Sequence, residues 1–160
     1  MFIATLRDGA YDFVLLLHIA TAIVGFGGVL LNPIYGIQAK NRPGPGGLAV
    51  TEANYAANRI AEKFIYAVPI FGFALVGMSD SAWEFSQTWI WLAIVLYVVG
   101  LGIAHSVLIP TQKRMIAMMQ AGPPDPAAME EQAKKLQTFG PINDVVLVII
   151  LILMIWKPGL

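Results

Sequence analysis

FVLLLHIATAIVGFGGVLLNPIY, the run from Phe13 to Tyr35, decides the fold. It contains no Asp, Glu, Lys or Arg and exceeds the roughly 20 helical residues needed to cross a hydrocarbon core of about 30 Å. A signal-peptide core is shorter, about 7–15 residues, and ends in a small-x-small cleavage pattern. This run leads instead into Asn32-Pro33, so it reads as a retained transmembrane helix. Three further apolar stretches follow: Phe64 to Met78, Trp89 to Pro110 and Phe139 to Trp156. The expected spans are residues 13–36, 60–79, 88–110 and 139–157, with loops at 37–59 and 111–138. The second and fourth are short and rely on tilt, on Lys63 snorkelling to the headgroups, and on an interfacial anchor at Trp156-Lys157.

Composition agrees with that reading. The 160 residues are 58% hydrophobic and 12% charged, against roughly half and a quarter in soluble domains. The expectation is an all-α, integral membrane four-helix bundle forming a single membrane domain, with the lipid bilayer as its first partner. With no cysteine there is no disulfide, thiolate metal site or thiol nucleophile. A formal charge of zero without a polybasic tract gives no footprint for nucleic acid. Lys40, Arg42, Arg59 and Lys63 follow the first span, and Lys113, Arg114, Lys134 and Lys135 follow the third, while the other segments carry only Arg7 and Lys157. That bias puts both long loops in the cytoplasm and both termini outside.

Punctuation is clear along the loops. NRPGPGG, Asn41 to Gly47, ends the first helix's extension, and Thr51 is the expected N-cap of the second helix, followed by a wetter helical stretch from Asn54 to Glu62. Pro69 should bend the second span, and the carbonyl it frees must find a donor inside the bundle. Asp125 caps a helix with Pro126 in its first turn, supported by Glu130–Lys134 and Glu131–Lys135 pairs, and Gly140-Pro141 ends or bends that helix. Trp83, Trp89, Trp91 and Trp156 read as an aromatic belt.

Membrane helices associate through small and polar residues. His18, Ala22, Gly25, Gly28 and Asn32 share one face of the first helix, which should therefore face protein. Gly102, His105 and Ser106 suggest a weaker stripe on the third, and Gly72 and Gly77 suggest close contacts on the second. Both histidines lie in spans, where ionisable groups are costly and point to function. At 1.5 Å per residue, His18 lies about 8 Å below the outer boundary and His105 roughly 24 Å. One iron therefore cannot take both as axial ligands, and they belong to different layers.

The outer layer offers His18 as a haem or metal ligand, with Met78 and Met154 as candidate second ligands, or else His18 as a polar contact between helices. The inner layer gathers Asn32, His105, Asn143 and Asp144. A His105–Asp144 pair there could bind a proton or cation, unless Asp144 simply complements a helix dipole in the turn after Pro141. Met115, Met118, Met119 and Met129 fit an amphipathic face rather than a copper site.

LLHIATAIVGFGGVL (Leu16 to Leu30), TWIWLAIVLYVVG in the third span, LIPTQKRM (Leu108 to Met115) and the ending ILMIWKPGL together resemble a bacterial family of predicted integral membrane proteins, domain of unknown function 2269. The likeness covers almost the whole chain and implies a multi-pass protein of the bacterial inner membrane. The first-helix piece is also similar to HemJ-type protoporphyrinogen oxidases and CopD-type copper-resistance domains. In the HemJ-type proteins a first-helix histidine is associated with b-type haem, which makes His18 the matching position. Three functions are consistent with these features. One is electron transfer or cofactor oxidation at haem b. The second is an accessory or scaffold subunit of a homo-oligomer or larger membrane complex, and the third is a proton or ion pathway through Asn32, His105 and Asp144. Whether the chain is an enzyme is open at this point.

Overall fold

A computed structural model describes residues 9–159, and among these the ordered elements are helices alone. The elements are α1 (Gly9–Leu30), α2 (Asn32–Lys40), α3 (Pro45–Gly77), α4 (Thr88–Ile103), a π-helical turn (Ala104–Leu108), α5 (Ile109–Gln120) and α6 (Pro126–Trp156). Read as rods, they form four apolar helical stretches of 32, 33, 33 and 31 residues. At 1.5 Å per residue each is about 45–50 Å long, well beyond the roughly 30 Å of a bilayer core. Consecutive rods run antiparallel, so one end of the bundle carries both described chain ends and the other carries the connections at 41–44 and 121–125. These are the terminal end and the loop end below.

The surplus length lies at the loop end. Most of the two expected loops, 37–59 and 111–138, is helix that continues the spans. Thr51 is therefore not a cap; it sits inside α3 with its hydroxyl donating to the Gly47 carbonyl at 2.9 Å. The start of α3 is set six residues earlier by Pro45 in the first turn and by Gly44, whose φ of +63° suits glycine. Pro141 does not end a helix either, because α6 runs through it. Asn143 and Asp144 are consequently mid-helix residues, and the first-turn dipole role considered for Asp144 is withdrawn. Asp125 does cap α6, accepting from the Ala127 amide at 3.2 Å, and Lys134 and Lys135 pair with Glu130 and Glu131 at 2.8 and 2.7 Å.

Pairing of α1 with α3 follows the small-residue stripe. Gly25 faces Ile65 and Gly28 faces Ala61, and a Cβ on Gly28 would lie 2.8 Å from that of Ala61. Towards the loop end the same register brings Asn58 to Asn32, donating at 2.9 Å. On α3 Gly72 makes its expected contact, against His18, whereas Gly77 has open space beside it. On α4 the close contact falls on Gly100, opposite Asn143 and Val146, and Gly102 is open.

Each proline leaves a carbonyl to be satisfied. Pro69 frees that of Ile65, which accepts from the Tyr97 hydroxyl at 3.2 Å, so the donor comes from within the bundle as expected. The π-helical turn precedes Pro110, and there Ile109 bonds back five residues to Ala104. A core of Phe26, Val68, Ala93, Val146, Leu147, Ile150 and Leu153 fills the middle of the bundle. Large apolar side chains such as Ile19, Ile23, Ile70, Val98 and Ile152 cover its outside, the surface expected of a protein solvated by lipid.

The α1–α3 approach can be tested with paired substitutions. Gly28→Val is expected to destabilise the bundle by about 1–3 kcal/mol through overpacking. Combining Gly28→Ala with Ala61→Gly should recover part of the loss of the first change, a coupling measurable by thermal unfolding in detergent micelles.

Candidate functional site

At the terminal end, aromatic side chains close the bundle around a lysine. Trp83 donates its indole N–H to the Tyr11 hydroxyl at 2.9 Å and meets Trp89 edge-on, with centroids 5.6 Å apart. Lys157 ends α6 in the left-handed region and holds its Nζ 3.8 Å from the Trp83 ring centroid and 5.4 Å from that of Trp89. Thus Trp83 and Trp89 turn inward as a cation–π seat, while Trp91 and Trp156 are exposed, as belt residues are.

His18 lies below that cap, half-buried. Its Nδ1–H donates to the Val68 carbonyl at 2.9 Å, and its ring occupies the space where Gly72 lacks a Cβ, which would lie 3.1 Å from Cε1. This is the polar inter-helix contact read for His18. Met78 is exposed at the end of α3 and Met154 packs against the core. The three are not gathered around a shared void. The cavity described below is lined by none of them and holds about 80 Å³, far less than the roughly 300–1,000 Å³ of small-molecule pockets. The ring of His18 itself fills the α1–α3 contact at this level.

Towards the loop end stands a second, denser cluster. His105, in the π-helical turn, places Nδ1 2.9 Å from the Leu101 carbonyl, its own helix, so that nitrogen carries a hydrogen. Its Nε2 lies 2.7 Å from the Tyr66 hydroxyl and 3.1 Å from Glu62 Oε1. Tyr66 also donates to the same Glu62 oxygen, and Arg59 pairs with Oε2. Glu62 is the enclosed member, its side chain 13% exposed against 47% for His105. Asp144 is on neither the hydrogen-bond set nor the cavity wall, so the carboxylate partner of His105 is Glu62.

Proton counting defines what this trio can do. Glu62 Oε1, Tyr66 Oη and His105 Nε2 approach one another along three edges, and the tyrosine proton satisfies only one. With a neutral imidazole and an ionised carboxylate, lone pairs on Nε2 and Oε1 would face each other at 3.1 Å. A second proton, on Nε2 or on Oε1, turns that edge into a charge-assisted hydrogen bond. The three edges are thus satisfied only when the trio carries a second proton.

Beside the trio is the cavity, walled by Asn32, Asn58, Arg59, Gln112, Gly100 and Asn143 among others. Of the inner-layer residues expected together, Asn32, His105 and Asn143 share this wall and Asp144 does not. Glu62, Tyr66 and Asn58 were not singled out by their sequence as site residues. The available signal was the wet stretch from Asn54 to Glu62, whose Asn58, Glu62 and Tyr66 repeat at the helical spacing of four.

Four long apolar helices, with large apolar side chains over their outer surface, define a multi-pass membrane protein. The chain belongs to the family described as Predicted integral membrane protein (DUF2269), which it matches over residues 12–158. No curated protein and no solved structure matches it.

Replacing His18 by alanine removes one inter-helix hydrogen bond and is expected to cost about 0.6–1.7 kcal/mol. Unfolding in detergent reads that loss, and absorption in the visible range is expected to be the same in variant and wild type.

Proposed function

We propose that this protein binds and releases a proton at Glu62, Tyr66 and His105 in the half of the membrane nearest the loop end, which the Lys and Arg bias assigns to the cytoplasm. The observation that carries the reading is the three-edged contact with one hydrogen too few. Arg59 supports it by balancing the Glu62 charge, so that uptake of a proton changes the local charge by one without stranding a bare carboxylate in lipid. An intramembrane ionisable residue points to function, and here two titratable partners meet across two helices.

The reading is of a proton-binding site with access from one side, not of a pathway across the membrane. Between the trio and His18 stand Phe26, Val146, Leu147 and Ile150, all buried and apolar. The buried members of that core group are all apolar, and the hydroxyl that packs against them, on Tyr97, is committed to the Ile65 carbonyl. Such a site suits a small membrane protein whose conformation or associations respond to protonation on the cytoplasmic side.

Infrared difference spectroscopy of the protein in lipid, combined with histidine-ring NMR, tests it. Each pH transition of the trio is expected to register on both the Glu62 carboxyl and the His105 ring, because the titration steps of strongly interacting groups belong to the pair. Glu62→Gln should abolish the carboxyl signal and Tyr66→Phe should alter the transition. Independent transitions of the two residues in the wild type, with that of His105 the same in Glu62→Gln and Tyr66→Phe, would refute the reading.

A further inference from the structure

Among the described residues, four buried acceptors have no donor, on Asn54, Asn58, Gln132 and Asn143, and two of them, on Asn58 and Asn143, belong to residues that line the cavity beside the trio. Asn143 is 4% exposed, and its Oδ1 faces the cavity beside the trio without a hydrogen-bond partner. Asn58 Oδ1 is in the same position, since the donors of Asn58 are spent on Asn32 Oδ1 at 2.9 Å and Gln112 Oε1 at 3.4 Å. The Tyr97 hydroxyl is committed to the Ile65 carbonyl. Buried acceptors without donors are costly, on the order of 1–3 kcal/mol each, and those of Asn58 and Asn143 share one void of about 80 Å³. A water needs roughly 10–15 Å³ of such volume together with two to four polar partners, so several fit. A bare metal cation is disfavoured because the Arg59 guanidinium stands on the same wall.

We infer that this cavity is a hydrated inlet, open towards the loop end and blind at Asn143, whose waters donate to Asn58 and Asn143 and exchange protons with the Glu62–His105 site. Asn58, Arg59 and Gln112 supply polar groups on its loop-end side, set among Leu108 and Ile109, and its far side is Leu147 and Val29, which adjoin the apolar core. Transfer is a balanced hop. A new N–H bond forms at His105 Nε2 as the O–H bond of the neighbouring water breaks, and that water is reprotonated by the next one towards the loop end. Release reverses each step. The inlet role rests on the proton-binding reading, whereas the hydration stands without it.

Water-edited ¹⁵N NMR on asparagine-labelled protein in lipid bilayers tests the hydration. Asn143→Ser assigns the side-chain signal, and Asn41 in the exposed connection serves as the wet control. Magnetisation is expected to pass from water to the Asn143 and Asn58 amides as it does to Asn41. Transfer to Asn41 with none to Asn143 overturns the proposal. The inlet role is read from hydrogen–deuterium exchange at the Glu62 carboxyl in Gly100→Ala, whose added Cβ would sit 3.5 Å from Asn143 Oδ1, an ordinary contact that narrows the void. Slower exchange than in wild type is expected, and an unchanged rate overturns the inlet. A wet Asn143 in a protein whose Glu62 and His105 titrate independently would sink the proton-binding reading and leave the hydration intact.

Discussion

Close approach of α1 to α3 is the contact on which the rest of the bundle is arranged. Lipid tails compete with apolar side chains on equal terms, so two membrane helices stay together through backbone proximity and polar contacts rather than through exclusion of water. Gly25 and Gly28 bring the α1 backbone against Ile65 and Ala61, and the pairs His18–Gly72 and Asn32–Asn58 fix the register at either end of that contact. Once α3 is held at this register, Tyr97 can reach the Ile65 carbonyl and Glu62 faces His105. A slide of one helical turn, about 5.4 Å, would dissolve all of these contacts together.

Prolines would normally punctuate such helices, and here they become places where a neighbour attaches. Pro69 creates an acceptor that α4 satisfies through Tyr97. Pro33, unable to continue the α1 ladder, coincides with the break at Leu31 between α1 and α2. Pro110 follows a turn with one residue more than an α-helical turn, which rotates the face presented by everything before it relative to everything after. That rotation accompanies the placement of His105 beside Glu62 and Tyr66, so their contact lies at an irregularity in the helix.

The four helices, the protein-facing stripe on α1, the Asp125 cap and the separation of the histidines into two levels were legible in the sequence, because each depends on local pattern or on depth along a helix of known rise. What was not legible depends on rotation and on partners distant in the chain. Gly102, His105 and Ser106 look like one stripe at regular spacing, but the π-helical turn begins between Gly102 and His105, and Gly100 takes the close contact instead. Glu62 lies 43 residues from His105 and on another helix, so only packing could pair them. The loop boundaries were misplaced for a related reason. Pro45 and Pro141 read as breakers, yet the first opens α3 and the second is absorbed within α6, while Pro126 opens α6 as its place after the Asp125 cap implied.

The two histidines make the same first hydrogen bond and diverge afterwards. Each gives its Nδ1–H to a backbone carbonyl, Val68 for His18 and Leu101 for His105, which fixes the tautomer and leaves Nε2 to meet the surroundings. Around His18 those surroundings include a glycine face that the ring fills, so the imidazole works as a wedge and polar tie between α1 and α3. Around His105 they are a carboxylate, a phenol and, through Glu62, a guanidinium, so the same atom becomes a third corner in a set of exchangeable protons. Residue type and membrane depth made both histidines candidates. Their partners separate them: His18 meets a backbone carbonyl and a glycine face, whereas His105 meets titratable side chains next to a cavity that Asn58 and Asn143 also line.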